Sequence, residues 1–255
     1  MRGIVHKSFF AVLALLMSAG MAAAAEVRLI AVGGAKAGLD KIIADFTKAT
    51  GNEVKFTVGS PPVVSQKLAA GESFDVVVQS APAMDDYAKI GGVKAETRVP
   101  VARVGIGMAV RQGDPVPNIS TVDTFKRTLL AAGSIGVTDP AMPNASGILA
   151  QNILTRSGMI DAIRFKVKIV GLDPGQEQIA KGEIDLGLFN VSEIRSSVKY
   201  AGPVPEPLQQ YTNYEAAVTT KAAAPEPAMA LVKLLASAAA AERWTSSGLE
   251  PRSGQ

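Results

Sequence analysis

Asp139-Pro-Ala-Met-Pro-Asn-Ala-Ser-Gly147 follows the strand-like run Ser134 to Thr138 and leads into a helical pattern from Ile148. Strand, polar turn and helix start place Ser146 near an N-cap. There its hydroxyl and the first free backbone N–H groups can meet an anion. Three other segments share this grammar. Val27 to Val32 runs into Gly33-Gly34-Ala35-Lys36, Val54 to Val58 into Gly59-Ser60-Pro61-Pro62, and Lys166 to Val170 into Gly171-Leu-Asp-Pro-Gly175, each followed by a helical pattern. If these four helix starts converge, dipoles and amides build an anion site with few side chains.

Strands alternating with helices imply an α/β fold with a parallel sheet, and in such sheets ligands sit beyond the carboxyl ends of the strands. Gly34, Ser60 and Ser80, the last after the run Phe74 to Gln79, fall at such ends. Val99 to Val110 breaks the pattern. It is a long alternating apolar stretch that reads as a strand crossing between lobes, and Thr212 to Thr220 is a second extended run able to cross back. Between them the βα grammar resumes, and Ile184 to Asn190 reads as a buried strand delivering Asn190 at its end. An Ala-rich helix over Pro225 to Ala241 is expected to close the chain. The implied organisation is a hinged, two-lobed binder. Its segments are a signal peptide over 1–25, a first lobe over 26–103 resuming over 212–255, and a second lobe over 104–211.

Arg2 and Lys7 precede the apolar run Phe9 to Met17, and small residues end in Ala23-Ala24-Ala25. This three-part pattern reads as a secretory signal peptide cut after Ala25, because the apolar run is shorter than the roughly 20 residues a membrane span needs. Removing it reduces 26 basic side chains to 24 against 23 acidic ones, so the formal charge falls from +3 to +1. A nearly neutral chain without a basic block argues against nucleic acid and against a polybasic membrane surface. The sole histidine, His6, leaves with the signal, and the chain has no cysteine. Ser-His-Asp triads, thiol nucleophiles and His or thiolate metal sites are thereby excluded, and no metal or cofactor is expected.

Several stretches together resemble the molybdate-binding family of periplasmic solute-binding proteins, the receptors of ABC importers with the type II periplasmic binding protein fold. They are Leu39 to Gly51, Gln66 to Val78, Ile119 to Phe125, Asp139-Pro140 with Ser146-Gly147, and Lys181 to Gly187. The resemblance covers nearly all of Glu26 to Pro251. It implies a periplasmic monomer that takes a small anion in the cleft and hands it to a permease. Where molybdate binders carry a serine after the first strand this chain has Gly34, and where they carry a serine pair it has Pro61 and Pro62. A tyrosine that often closes the family's site corresponds to Asn190. Fewer hydroxyls, with Lys36 beside Gly34, shift the expected ligand from molybdate or tungstate toward an organic di- or tricarboxylate. Aconitate isomerases also resemble molybdate binders. An enzyme of that type is therefore the alternative reading, with Lys36 or Ser60, or else Asp139 or a tyrosine, as acid or base.

The candidate ligand-binding residues are thus Gly33, Gly34, Lys36, Ser60, Ser80, Ser146, Gly147 and Asn190. Each has a bland counterpart. Ser146 can simply cap a helix, Lys36 can point into solvent, the glycines can serve turns or close packing, and Asn190 can satisfy backbone groups.

Overall fold

In the computed structural model, which describes residues 24–141 and 145–252, the chain opens with β1 (Glu26–Val32), a 3-10 turn (Gly33–Ala35) and α1 (Lys36–Thr50). Next come β2 (Glu53–Gly59), α2 (Pro61–Ala69), β3 (Val76–Ser80), α3 (Ala81–Lys89) and the long β4 (Val99–Arg111). Then follow α4 (Val122–Ala131), β5 (Ile135–Thr138), α5 (Ala145–Arg156), the short α6 (Ile160–Ile163), β6 (Val167–Val170), α7 (Leu172–Lys181) and β7 (Leu186–Asn190). A 3-10 turn (Val191–Glu193), β8 (Val198–Pro203), β9 (Tyr211–Val218), α8 (Pro225–Leu235), α9 (Ala238–Thr245) and β10 (Glu250–Pro251) complete it. The expected signal peptide, apart from residues 24 and 25, lies outside the described residues. Among the described residues no helix is long and apolar enough to cross a membrane.

Local sequence accounts for much of this. In α1, Leu39, Ile42 and Phe46 recur at helical spacing and are buried. In α4, Thr121 accepts from the Thr124 N–H while the Thr124 hydroxyl accepts from the Thr121 N–H, a reciprocal capping box. Pro61 opens α2, where its missing N–H costs little.

The strands run in the order β2-β1-β3-β9-β4-β7-β5-β6, with β8 and β10 also paired to β4. Strands β1, β2 and β3 are mutually parallel, as are β5, β6 and β7, whereas β4 and β9 run against their neighbours. The first part of β4, Val99 to Gly105, pairs with β9, and the remainder, from Ile106, pairs with β7 and β8. The hydrophobic core divides at the same place. One cluster takes residues from Val27 to Val104 and from Tyr214 to Leu249, and another takes residues from Ile106 to Leu208. The fold is therefore two-lobed, with β4 shared between the lobes.

A buried glutamine holds the crossing point. Gln209 accepts the Ile106 N–H at 2.9 Å and donates to the Ile106 carbonyl at 2.9 Å, so its amide substitutes for a strand neighbour where β4 changes partners. In the first lobe, Asp75, 1% exposed, accepts backbone N–H groups from Arg28 at 2.7 Å, Ala223 at 2.6 Å and Ala224 at 3.0 Å. That carboxylate ties β1 to the entrance of α8.

Three local expectations change. Helix α5 begins at Ala145, so Ser146 lies inside the first turn and not at an N-cap. Helix α7 begins at Leu172, so most of the Gly171-to-Gly175 turn is helical, with Pro174 tolerated because first-turn N–H groups have no intrahelical partner. The closing helix divides at Ala236 and Ser237 into α8 and α9. The break lets Trp244 fold back, fully buried, and donate its indole N–H to the freed Leu235 carbonyl at 3.0 Å.

Candidate functional site

The carboxyl ends of β1, β3 and β7 meet the start of β9 around a cavity of about 240 Å³. The first lobe contributes Gly34, Pro61, Gln79, Ser80 and Tyr214 to its wall, and the second contributes Ile148, Asn190 and Glu193. A neighbouring cavity of about 460 Å³ lies at the ends of β5 and β6, walled by Thr138, Asp139, Ser146 and the Val170-Gly171-Leu172 entrance to α7. Glu193 lines both cavities. Strand ends and helix starts do converge, from both lobes.

The sequence candidates distribute unevenly over this cleft. Gly34, Ser80 and Asn190 line the smaller cavity, and Ser146 lines the larger one. The Ser146 hydroxyl stands 3.0 Å from that of Thr138, both buried. Gly147 is a packing residue here. A Cβ on it would lie 2.5 Å from the Thr138 carbonyl oxygen, so only glycine lets α5 approach the end of β5 this closely. Ser60 is exposed at the N-cap position of α2 and makes no capping bond. Gly33 is exposed, and the position a Cβ would take on it lies 3.9 Å from a Glu193 carboxylate oxygen. Lys36 is outside both walls, its side chain 51% exposed and paired with Asp40 one helical turn on. The charged donor anticipated beside Gly34 is thus engaged at the start of α1.

Three residues not singled out in the sequence shape the smaller cavity. Gln79 is 1% exposed. Its Oε1 accepts the Ser80 N–H at 2.8 Å, while its Nε2 is buried without a partner. Its position as the polar residue ending the run Val76-Val77-Val78 was a usable signal. Tyr214 is 3% exposed, and its hydroxyl occupies the space that a side chain on Gly34 would fill. Burial and the nearby Glu193 push the Tyr214 pKa far up, so it stays a neutral donor. Glu193 follows β7 in the 3-10 turn, and no local pattern announces that it is half-buried in the wall of both cavities.

The Glu193 carboxyl accepts from Asn190 Nδ2 at 2.9 Å, and its backbone carbonyl accepts from Gln176 Nε2 at 3.0 Å. Desolvation raises its pKa above the ordinary carboxylate value, against smaller lowering effects from the Asn190 amide and the Arg195 charge. Asn190 Oδ1, in turn, is buried without a partner. Among the described residues neither wall contains a lysine or arginine. The cleft therefore combines neutral donors, backbone amides at helix starts and one carboxyl that ionises reluctantly. Across the lobes, the Ser192 hydroxyl donates to the Gly34 carbonyl at 2.8 Å, closing the turn after β7 onto the end of β1.

Residues 27–250 match the family described as bacterial extracellular solute-binding protein. The chain belongs to that family. Among its relatives, an aconitate isomerase of a Pseudomonas species is 33% identical over 248 residues, covering 93% of each chain. The periplasmic molybdate-binding protein of Azotobacter vinelandii superposes with a TM-score of 0.71 at 17% identity, covering 88% of this chain and 98% of its own. The sulfate-binding protein of Mycobacterium tuberculosis does so with a TM-score of 0.69 at 20% identity, covering 89% and 87%. The two structures share the two-lobed fold with this solute-binding protein.

Proposed function

We propose that this protein, exported to the periplasm and cleaved after Ala25, binds an organic di- or tricarboxylate between its lobes and isomerises it, as an enzyme of the aconitate isomerase type. Glu193 carries the reading. A receptor that only holds an anion gains nothing from a carboxylate in its wall, because like charges repel, whereas a proton-transfer enzyme needs an acid or base with a pKa moved toward neutrality. The 33% identity over 93% of both chains to an aconitate isomerase supports the same choice. The partnerless Gln79 amide and the Tyr214 hydroxyl suit substrate carboxylates, a hydrogen bond to a charged group being worth about 1.5–3 kcal/mol. Lobes spanning 26–103 with 212–255, and 104–211, would close on the substrate about the crossing at Gly105 and Ile106.

The test is incubation of the purified chain with cis- and with trans-aconitate, followed by proton NMR, beside calorimetry with both acids, molybdate and sulfate. Interconversion supports the reading. Carboxylate binding without interconversion returns the protein to the second reading, a solute receptor of an ABC importer, which the family match favours. Tight molybdate binding with no carboxylate binding overturns the isomerase reading and makes the protein an oxyanion receptor.

A further inference from the structure

The geometry points to Glu193 as the catalytic residue that takes a proton from the bound carboxylate substrate and returns it, with Asn190 positioning it. This rests on the isomerase reading above and assigns its chemistry to atoms. Among the described residues Glu193 is the one that lines both cavities, so a ligand occupying either lies beside it. It sits in a turn whose backbone is pinned by Gln176, which donates to the Glu193 carbonyl and accepts the Arg195 N–H at 2.7 Å. Arg195, the nearest cation in sequence, turns away and pairs with Asp173 at 2.9 Å. Glu193 is left held by a neutral amide, the arrangement that keeps a carboxylate basic.

Other acid–base candidates fit less well. Asp139 lines only the larger cavity, and its Oδ1 is occupied by the Ala141 N–H at 2.9 Å in a turn. Lys36 is in neither wall. Tyr214 stays protonated and serves as a donor.

The step balances without an oxidant or co-reactant. In a substrate with a CH₂ group between a carboxylate and a carbon–carbon double bond, the Glu193 carboxylate removes one CH₂ proton. The electron pair of that C–H bond delocalises over the three-carbon unit into the attached carboxylates. Tyr214 Oη and Gln79 Nε2 donate to the carboxylate oxygens that gain charge. Bond order in the former double bond falls, rotation becomes possible, and the proton on Glu193 returns to the far carbon of the unit. The product is the same acid with the double bond shifted or its geometry reversed.

The groups bearing on this titration are Asn190 at the end of β7, Arg195 beyond the turn, Asp173 on α7 and Tyr214 on β9, with Asp139 facing the adjoining cavity. Asn190 lowers the Glu193 pKa through its hydrogen bond. Its removal should move the midpoint of the kcat–pH curve upward, a shift that a merely structural amide would not cause.

The experiment uses the full chain, its Glu193→Gln and Asn190→Ala variants, and cis- and trans-aconitate in D₂O, with isomerisation and deuterium uptake followed by NMR and binding by calorimetry. Glu193→Gln is expected to bind within a few-fold of the parent while kcat and deuterium uptake fall by about 10²–10⁴-fold. Asn190→Ala is expected to lose part of its kcat through the freed Glu193 carboxyl, with its pH midpoint raised. If Glu193→Gln isomerises within about threefold of the parent, a loss too small for general acid–base catalysis, the assignment is overturned while the isomerase reading stands. If the parent binds aconitate yet never isomerises it, the reading itself has failed and the assignment with it. Should Glu193→Gln not fold, as judged by melting, Glu193→Ala takes its place, and a kcat within about threefold of the parent there overturns the assignment.

Discussion

Gly34 and Tyr214 interlock across the first lobe. A Cβ on Gly34 would lie 2.2 Å from Tyr214 Oη, so the tyrosine hydroxyl fills the place a side chain would take. Gly34→Ala must displace that hydroxyl from the cavity wall, and overpacking of this kind costs about 1–3 kcal/mol. In the double variant with Tyr214→Phe part of the cost should vanish, giving a coupling of about 0.5–3 kcal/mol in a denaturant-melt cycle. Strict additivity of the two changes would refute the interlock.

Gln209→Leu should lower stability by about 1–3 kcal/mol, because the Ile106 N–H and carbonyl lose their side-chain partner at a buried crossing. Urea unfolding measures it. A loss below about 0.5 kcal/mol, the range of ordinary surface changes, would mean that β4 does not depend on this amide.

Asp75→Ala strips the acceptor from backbone N–H groups of Arg28, Ala223 and Ala224 at once. Each buried donor left unmade costs about 1–3 kcal/mol, so the variant should be among the least stable single changes in the first lobe. Thermal unfolding followed by circular dichroism reads the effect, and an unchanged Tm contradicts the role given to this carboxylate.

The raised pKa of Glu193 makes ligand-free stability depend on pH. The folded chain holds this proton more tightly than the unfolded chain, whose carboxyl titrates near 4.5. Its contribution is therefore fully present below pH 4.5 and is lost as pH rises through the folded pKa. Glu193→Gln lacks the titration. The Tm of the variant relative to the parent should be flat at the acid end and climb as pH rises above that value. A difference independent of pH would show that the carboxyl is not desolvated.

Much of the cleft was legible because strand ends and helix starts announce themselves locally. Gly34, Ser80 and Asn190 stand at the ends of apolar runs and do line the smaller cavity. Lys36 was a reasonable candidate on the same grounds, yet its charge is drawn to Asp40 at i,i+4, and the direction of a long side chain is not written in its neighbours. Strand β8 went unseen for a similar reason. Val198 to Pro203 lacks a strong alternating pattern and forms by pairing with β4.

By itself the sequence determined the alternation of strands and helices, the near-neutral charge, the absence of thiol chemistry and the long β4 run, because hydrophobic period and composition act over short distances. Tertiary structure alone decided that Tyr214 occupies the space beside Gly34, that Gln79 keeps a buried amide unpaired, and that the half-buried Glu193 stands between two cavities with a raised pKa. Burial and pKa depend on which atoms arrive from distant parts of the chain. Glu193 owes its environment to the nearby Asn190 and to Gln176 and Tyr214 from other elements, and a local window around it contains only the first.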